Sequence, residues 1–552
     1  MLPPLARAGT LSYCGFSPKA FSMSELGTPG GQGWPEHFNL CTYYLDHNIE
    51  AGRGAKTALI CGDRKHTYAS LQARVIRLTA ALRGMGLGAE DRVLIVLPDV
   101  LEFAETWFAT LRAGGVFAMV NPLMKSKDYA YYLEYTKARV LVTDSSVLPE
   151  IEEAARSSPH LHGVLVVGSE CDEFKDYDEA IDDQPEGSPD GFVQLTKPDD
   201  LAGWLFTSGS TGEPKACVHM QRDFAFSTET FALQVAGYQE GDVCLSVPKL
   251  FFGYATGTNL MFPFRVGATV ILFPERSTPD ALFDLIEKYH PSFLTAVPTL
   301  INNMLRSERC DQVDLSCLRV CLSAGEALPA SLYEQWLERT GVEILDGIGS
   351  AEMFHIYISN RVGDVRIGSL GTPVPGYTAE IIGPDGKQVP TGEPGRLRIR
   401  GGSTALCYWG DKAKSHETFQ ADACTTADIF RVDGEGYYQY VGRDDDLLKV
   451  SGIWVSPLEI ENALLTHPAV DEVCVIGRAD TDDLVKPQAF VVLAGGFNGD
   501  TALAVDLKAH VKERLAPYKY PRWFEWCDDL PKNDRGKVNR KLLKSTGPVR
   551  AT

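Results

Sequence analysis

The stretch Thr207-Ser208-Gly209-Ser210-Thr211-Gly212-Glu213-Pro214-Lys215 gathers hydroxyls, glycines and one lysine directly behind the apolar segment 201–206. Glycines let the backbone turn its N–H groups toward an anion, hydroxyls add donors, and the lysine brings charge to a polyphosphate. The spacing differs from the common P-loop, in which lysine directly follows the last glycine and precedes Ser or Thr. Here Glu213 and Pro214 intervene and Ala216 follows. A plain polar surface loop shares the Ser and Gly content but not this order.

Outward from this run, apolar stretches at 93–97, 116–120, 140–143, 164–167, 269–273, 293–296 and 318–323 read as buried strands. They alternate with helical stretches near 100–113, 278–290 and 329–340. Thr67 reads as the N-cap of a helix carrying Leu71, Val75, Leu78 and Leu82 at helical spacing. Such alternation predicts an α/β fold, with a large N-terminal domain of helix-covered, mostly parallel sheets.

The 552 residues give ample core and, at roughly 100–200 residues per domain, room for several structural units. Fifty-three basic against 73 acidic residues leave a net charge of −20, which argues against nucleic acid or an anionic membrane as partner. Thirteen cysteines include no C-x-x-C pair, and Cys317 and Cys321 lack neighbouring histidines, so neither zinc nor a disulfide framework is expected. No stretch approaches the roughly 20 apolar residues of a membrane span, and no apolar h-region precedes a cleavage site. These features predict a soluble, cytoplasmic protein with small-molecule partners.

Residues 1–38 hold Thr28-Pro29-Gly30-Gly31-Gln32-Gly33 and no sustained periodicity, so they read as an irregular extension ahead of a large domain over 39–442. Near Arg443 the texture changes. The charged run Arg443-Asp444-Asp445-Asp446 separates a Gly/Tyr-rich segment from strand-like 447–450, which makes 443–446 the hinge candidate. The remainder, 447–552, has helical patterns near 457–465 and 503–515 and strand patterns near 470–477 and 488–493, a small α+β domain.

Other segments carry chemistry. Ser323-Ala324-Gly325-Glu326 and Asp346-Gly347-Ile348-Gly349-Ser350-Ala351-Glu352 read as glycine-rich loops ending strands, where α/β sheets gather ligands. Glu352 offers hard carboxylate oxygens suited to Mg²⁺, and Asp428 offers two acceptors to ribose hydroxyls. Lys537 follows a glycine near the C-terminus, with Arg540 and Lys541 beyond. Singly, these also fit a strand-to-helix turn, a cap and a solvated basic tail.

Taken in order, the pieces resemble the adenylate-forming superfamily: acyl- and aryl-CoA ligases, carrier-protein adenylation domains and firefly-type luciferases. The matching motifs are the phosphate loop, 323–326, 346–352, Asp428, Gly442-Arg443-Asp444-Asp445-Asp446, Lys449-Val450-Ser451-Gly452 with Pro457-Leu458-Glu459-Ile460-Glu461, and Gly536-Lys537. Lys249-Leu250-Phe251-Phe252-Gly253-Tyr254, together with the run from Asp346 to Met353-Phe354-His355, is most similar to benzoate and 2-aminobenzoate CoA ligases.

The resemblance implies ATP, Mg²⁺ and coenzyme A, and two steps. A carboxylate attacks the ATP α-phosphate with help from Lys537, and the small domain then swings about Asp445 so that the CoA thiol reaches the acyl-AMP. It assigns the triphosphate to Thr207, Ser208, Gly209, Ser210, Thr211, Gly212 and Lys215, and Mg²⁺ to Glu352. Adenine or AMP falls to Ser323, Ala324, Gly325 and Glu326 with Asp346, Gly347, Ile348, Gly349 and Ser350, and ribose to Asp428 with Arg443. Lys449, Ser451, Gly452 and Trp454 serve the second step.

It also implies that Phe252, Gly253, Tyr254 and His355 line the acyl pocket. Aromatic walls suit an aryl acid, and His355 is the candidate for bonding an ortho-amino or hydroxyl group. Benzoate and 2-aminobenzoate remain unseparated. Ala427 stands where the family often has glycine, Trp454 where it often has arginine, and Asn533-Asp534-Arg535 where a threonine-rich approach is usual. Three rivals differ in class: an adenylation enzyme loading a carrier protein, a non-catalytic metabolite-binding paralogue, and a luciferase-like oxygenase.

Overall fold

The computed structural model describes residues 33–168, 173–187, 193–208, 213–443, 446–450, 453–480, 484–516, 519–532 and 538–545. Gly209, Ser210, Thr211, Gly212, Asp445, Ser451, Gly452, Lys537 and most of the 1–38 extension lie outside the described residues, and of Ser208, Lys449 and Trp454 only the backbone is described.

Short, fully apolar strands bury both faces and therefore sit inside helix-covered parallel sheets. Arg92–Val96, Val116–Met119, Val140–Asp144 and Gly163–Val167 pair in parallel within an eight-stranded sheet. Leu201–Ser208 joins it in parallel through Val116–Met119. A nine-stranded sheet holds Val243–Ser246, Thr269–Leu272, Phe293–Ala296, Val320–Ser323 and Ile344–Gly349, again paired in parallel. Both sheets turn antiparallel at an edge, through Pro214–Met220 in the first and Ile356–Ser359 in the second.

Thr67 caps the helix Tyr68–Gly84: Ser70 N–H donates to the Thr67 hydroxyl at 3.1 Å and Thr67 N–H donates to the Ser70 hydroxyl at 2.9 Å. Leu71, Val75, Leu78 and Leu82 all face the core of this domain. Trp107, Trp204 and Trp336 are wholly enclosed.

A third, five-stranded sheet is antiparallel and was absent from the sequence reading: Thr378–Ile382, Gly395–Arg400, Ala423–Val432, Phe419–Gln420 and Tyr438–Arg443. Gly395–Arg400 has period two: Leu397 and Ile399 are buried while Arg396 and Arg398 are half-buried and Arg400 is exposed.

Beyond Leu447, Val470–Ala479, Val485–Leu493 and Trp523–Cys527 make a separate three-stranded sheet under the helices Pro457–Leu465 and Thr501–Arg514. Ile460, Leu464, Leu507 and Val511 pack on that sheet as a core of its own. No helix of the described residues is long and apolar enough to cross a membrane.

Candidate active site

The described ends of the run 207–215 are strand, not loop. Leu201–Ser208 and Pro214–Met220 pair antiparallel, with Thr207 opposite Lys215 and Ser208 opposite Pro214. Lys215 therefore sits in a strand, fixed in direction by the ladder. Its ammonium donates to Asp411 Oδ2 at 2.7 Å. That contact comes first, and the Lys414 N–H second, in holding the Asp411 carboxyl below its usual range.

The segment 346–349 is likewise strand, not loop. Ile344–Gly349 continues past its parallel partner and pairs antiparallel with Ile356–Ser359, Ile348 facing Ile358. The glycines are there for close approach. A Cβ on Gly347 would lie 2.9 Å from Ile358 O, and one on Gly349 would lie 2.6 Å from His355 O. After this strand comes a single 3₁₀ turn, Ala351–Met353, and then Phe354 at φ +64°, ψ −57°. His355 N–H donates to Met353 O at 2.8 Å. This is a γ-turn of the rare, strained hand. It sets Glu352 on one side and His355 on the other.

Glu352 accepts from the Tyr408 hydroxyl at 2.7 Å through Oε1, and its carbonyl accepts from Ala405 N–H at 2.8 Å. Buried His219 reaches the same turn. Its Nε2–H donates to Ala351 O at 2.7 Å, and its Nδ1 lies 3.0 Å from Asp223 Oδ2. Tyr408, Asp411, His219 and Asp223 were missed in the sequence. His219 and Asp223 had a faint signal in lying four and eight residues after Lys215. Tyr408 and Asp411 had none, because strand pairing between distant segments brings them in.

Ser323 and Asp346 lie opposite each other at the ends of neighbouring parallel strands. Burial pushes the Asp346 carboxyl up to about 8, with the Ser323 hydroxyl and Gly347 N–H pulling it back. A shift in this direction favours the protonated acid, which can donate a hydrogen bond. Gly325 turns the chain at φ +89°, while Glu326 accepts from Thr299 N–H and hydroxyl at 2.9 and 2.8 Å and so holds the first turn of the helix Pro298–Arg306. Ser350 stands just ahead of the 3₁₀ turn as its N-cap residue. Asp428 and Arg443 face each other across their strand pair. A cavity of about 500 Å³, lined by Asp346, Tyr440, Leu458 and Lys519 among others, separates this face from the C-terminal helix Pro457–Leu465.

On the other side of the γ-turn, Phe252 precedes the helix Gly253–Thr256. His355 Nε2–H donates to Tyr254 O at 3.1 Å, which leaves Nδ1 as an acceptor. Burial drives the imidazole pKa down to about 3 against that carbonyl's opposing pull, so the ring is neutral. Neither His355 Nδ1 nor the Tyr254 hydroxyl meets a hydrogen-bond partner among the described residues. The imidazole packs among Phe231, Tyr254, Phe262 and Phe354.

Among the described residues no three His, Cys, Asp or Glu side chains gather to hold a metal alone. A single carboxylate with one oxygen engaged fits an ion held chiefly by substrate phosphates, the habit of Mg²⁺. Glu352 fits that role.

With this geometry in place, the comparisons are specific. Residues 45–409 match the AMP-binding enzyme family and residues 459–537 match the AMP-binding enzyme C-terminal domain. The chain belongs to the AMP-binding enzyme family, whose members are adenylate-forming enzymes. It is 44% identical to the benzoate–CoA ligase of Thauera aromatica over 94% of this chain and 98% of the relative. Among solved structures it is similar to the anthranilate CoA ligase AuaEII in complex with anthranoyl-AMP, with TM-score 0.88, 38% identity, and coverage of 93% of this chain and 97% of the other. A benzoate CoA ligase from Burkholderia xenovorans LB400 follows with TM-score 0.85, 39% identity, and coverage of 92% and 100%.

Proposed function

We propose that this enzyme is an aryl-CoA ligase that activates benzoate or 2-aminobenzoate with ATP and passes the aryl group to coenzyme A. Family membership makes it an ATP-dependent, AMP-forming ligase that uses ATP, Mg²⁺ and CoA. The observation that carries the aryl assignment is the buried, ring-lined wall around neutral His355.

In the first step the acid's carboxylate attacks the α-phosphate and pyrophosphate leaves. Mg²⁺, when bound, neutralises phosphate charge as the two anions meet. Lys215 and the hairpin tip hold the triphosphate, Glu352 anchors the ion, and neutral Asp346 adds no repulsion. Lys537 stabilises the charge that grows at the α-phosphate. Asp428 with Arg443 holds the ribose. For the second step the C-terminal domain turns about Asp445, withdraws Lys537 and brings 449–454 to the thiol's approach. A cytoplasmic location, with ATP and CoA at hand, belongs to the same reading.

Benzoate is favoured by the 44% identity to a benzoate–CoA ligase. 2-Aminobenzoate is favoured by His355 Nδ1, a buried acceptor that an ortho N–H can satisfy. The test is pyrophosphate release acid by acid, with and without CoA, and with thioester scored by mass. CoA-dependent turnover of an aryl acid supports the ligase. Release with no CoA product supports a carrier-protein acceptor instead.

A further inference from the structure

One short segment touches both ends of the machinery that handles the triphosphate. Cys407–Tyr408 adds as an edge strand to Pro214–Met220, with Tyr408 opposite Cys217. The attachment is tight. Leu406 N–H donates to Val218 O at 2.8 Å and Trp409 N–H donates to Ala216 O at 2.9 Å. From the helix Ser126–Thr136, the Tyr135 hydroxyl donates to Trp409 O at 2.7 Å and lies 3.2 Å from Ala216 N, and Tyr131 donates to Pro214 O at 2.7 Å. Everything around the base of the hairpin is therefore fixed, and the segment's polar groups are aimed by it.

Two of those groups reach reacting-site residues. The Tyr408 hydroxyl donates to Glu352 Oε1, and Asp411 Oδ2 accepts from the Lys215 ammonium, each at 2.7 Å. Tyr408 is buried, and Lys215 Nζ lies 5.9 Å from the centre of its ring. Asp411 also caps the helix Lys412–Thr418 through Lys414 N–H at 3.0 Å, so its carboxylate is not free to follow the lysine. Lys215 lies in a strand of the eight-stranded sheet and Glu352 in the turn that follows a strand of the nine-stranded sheet, and this segment ties one to the other. Charge-assisted bonds of this length restrict a lysine and a carboxylate that would otherwise sample several rotamers.

We propose that Tyr408 and Asp411 are positioning residues for adenylation, which hold Glu352 and Lys215 in the geometry that receives ATP. The proposal rests on the roles assigned to Lys215 and Glu352 above. It assigns Tyr408 and Asp411 no part in thioester formation, because neither the triphosphate nor its ion is present in that step.

The experiment compares Tyr408→Phe and Asp411→Asn with the benchmark variants Lys215→Met and Glu352→Gln. Phenylalanine keeps the buried ring, and asparagine keeps the helix cap, so both test variants preserve local packing. Three quantities are measured: single-turnover aryl-AMP formation with MgATP, thioester formation from supplied aryl-AMP and CoA, and calorimetric affinity for an unreactive ATP analogue at low and high Mg²⁺. Each test variant is expected to slow aryl-AMP formation about tenfold or more and to weaken analogue binding, with thioester formation within about twofold of wild type. Equal loss in both half-reactions would overturn the proposal, since a packing defect does not distinguish them. Wild-type adenylation in the test variants, with loss in the benchmarks, would overturn it as well. Wild-type adenylation in the benchmarks would instead overturn the roles of Lys215 and Glu352 on which it stands.

Discussion

The two ends of the site are built from different forces. At the end that carries Lys215 and Glu352, side chains are held by charge-assisted bonds, Lys215 to Asp411 and Tyr408 to Glu352. At the aryl end the fixing is by ring packing around a histidine that burial keeps neutral. The two meet at the γ-turn of Phe354, with Glu352 and His355 on either side. A strained turn of three residues thus joins the surface proposed to hold ATP to the one proposed to choose the acid. The difference teaches that a charge placed at one end positions substrate, whereas at the other end it would expel it.

If this division is right, substitutions at each end should move different constants. Glu352→Gln should cost most, lowering adenylation by roughly 10²–10³-fold with little change in apparent affinity for the aryl acid. Steady-state kinetics with each substrate varied in turn would check this, and a rise confined to the acid's KM would break the comparison. His355→Ala should come next, raising the KM for the aryl acid by roughly 10–100-fold while the KM for ATP stays near wild type. Gly257→Ala should give a weaker version of the same result. Its backbone is helical, but an added Cβ would stand 2.4 Å from His355 Cδ2 and push the ring aside. A rise of about tenfold or less in the acid's KM is expected.

The smallest effect lies in stability against pH, and it has opposite signs at the two groups. His355 is held at about 3 against an ordinary 6.5, so the unfolded chain takes up a proton that the folded chain refuses. Its contribution is intact above pH 6.5 and is lost as the pH falls toward 3. Asp346 is held at about 8 against an ordinary 3.8, so the folded chain keeps a proton the unfolded chain has released. Here stability is lost as the pH rises from 3.8 to 8. Each slope is at most about 1.4 kcal/mol per pH unit. Melting curves across pH should show a shallower loss of stability below pH 6.5 for His355→Phe and a shallower loss between pH 3.8 and 8 for Asp346→Asn.

Much of this was legible in the chain. Thr67 announced a helix, fully apolar strands announced parallel sheets, and the ordered series of motifs announced the AMP-binding enzyme family. Three things were not. Leu397 and Ile399 between arginines carried a period-two signal, but neighbouring turns and glycines masked the five-stranded sheet. Asp346 to Gly349 looked like a loop because glycine usually means a turn, whereas here the glycines admit a neighbouring backbone. Tyr408 and Asp411 were invisible, because only the pairing of Cys407–Tyr408 with Pro214–Met220 brings them to Glu352 and Lys215.

The most direct test offers the enzyme one equimolar mixture of benzoate, 2-aminobenzoate and a medium-chain fatty acid with ATP, Mg²⁺ and CoA, and resolves the thioesters by mass. The account predicts aryl-CoA alone, with AMP and pyrophosphate formed in step. Fatty acyl-CoA as the main product, or ATP consumption with no aryl thioester, would contradict it.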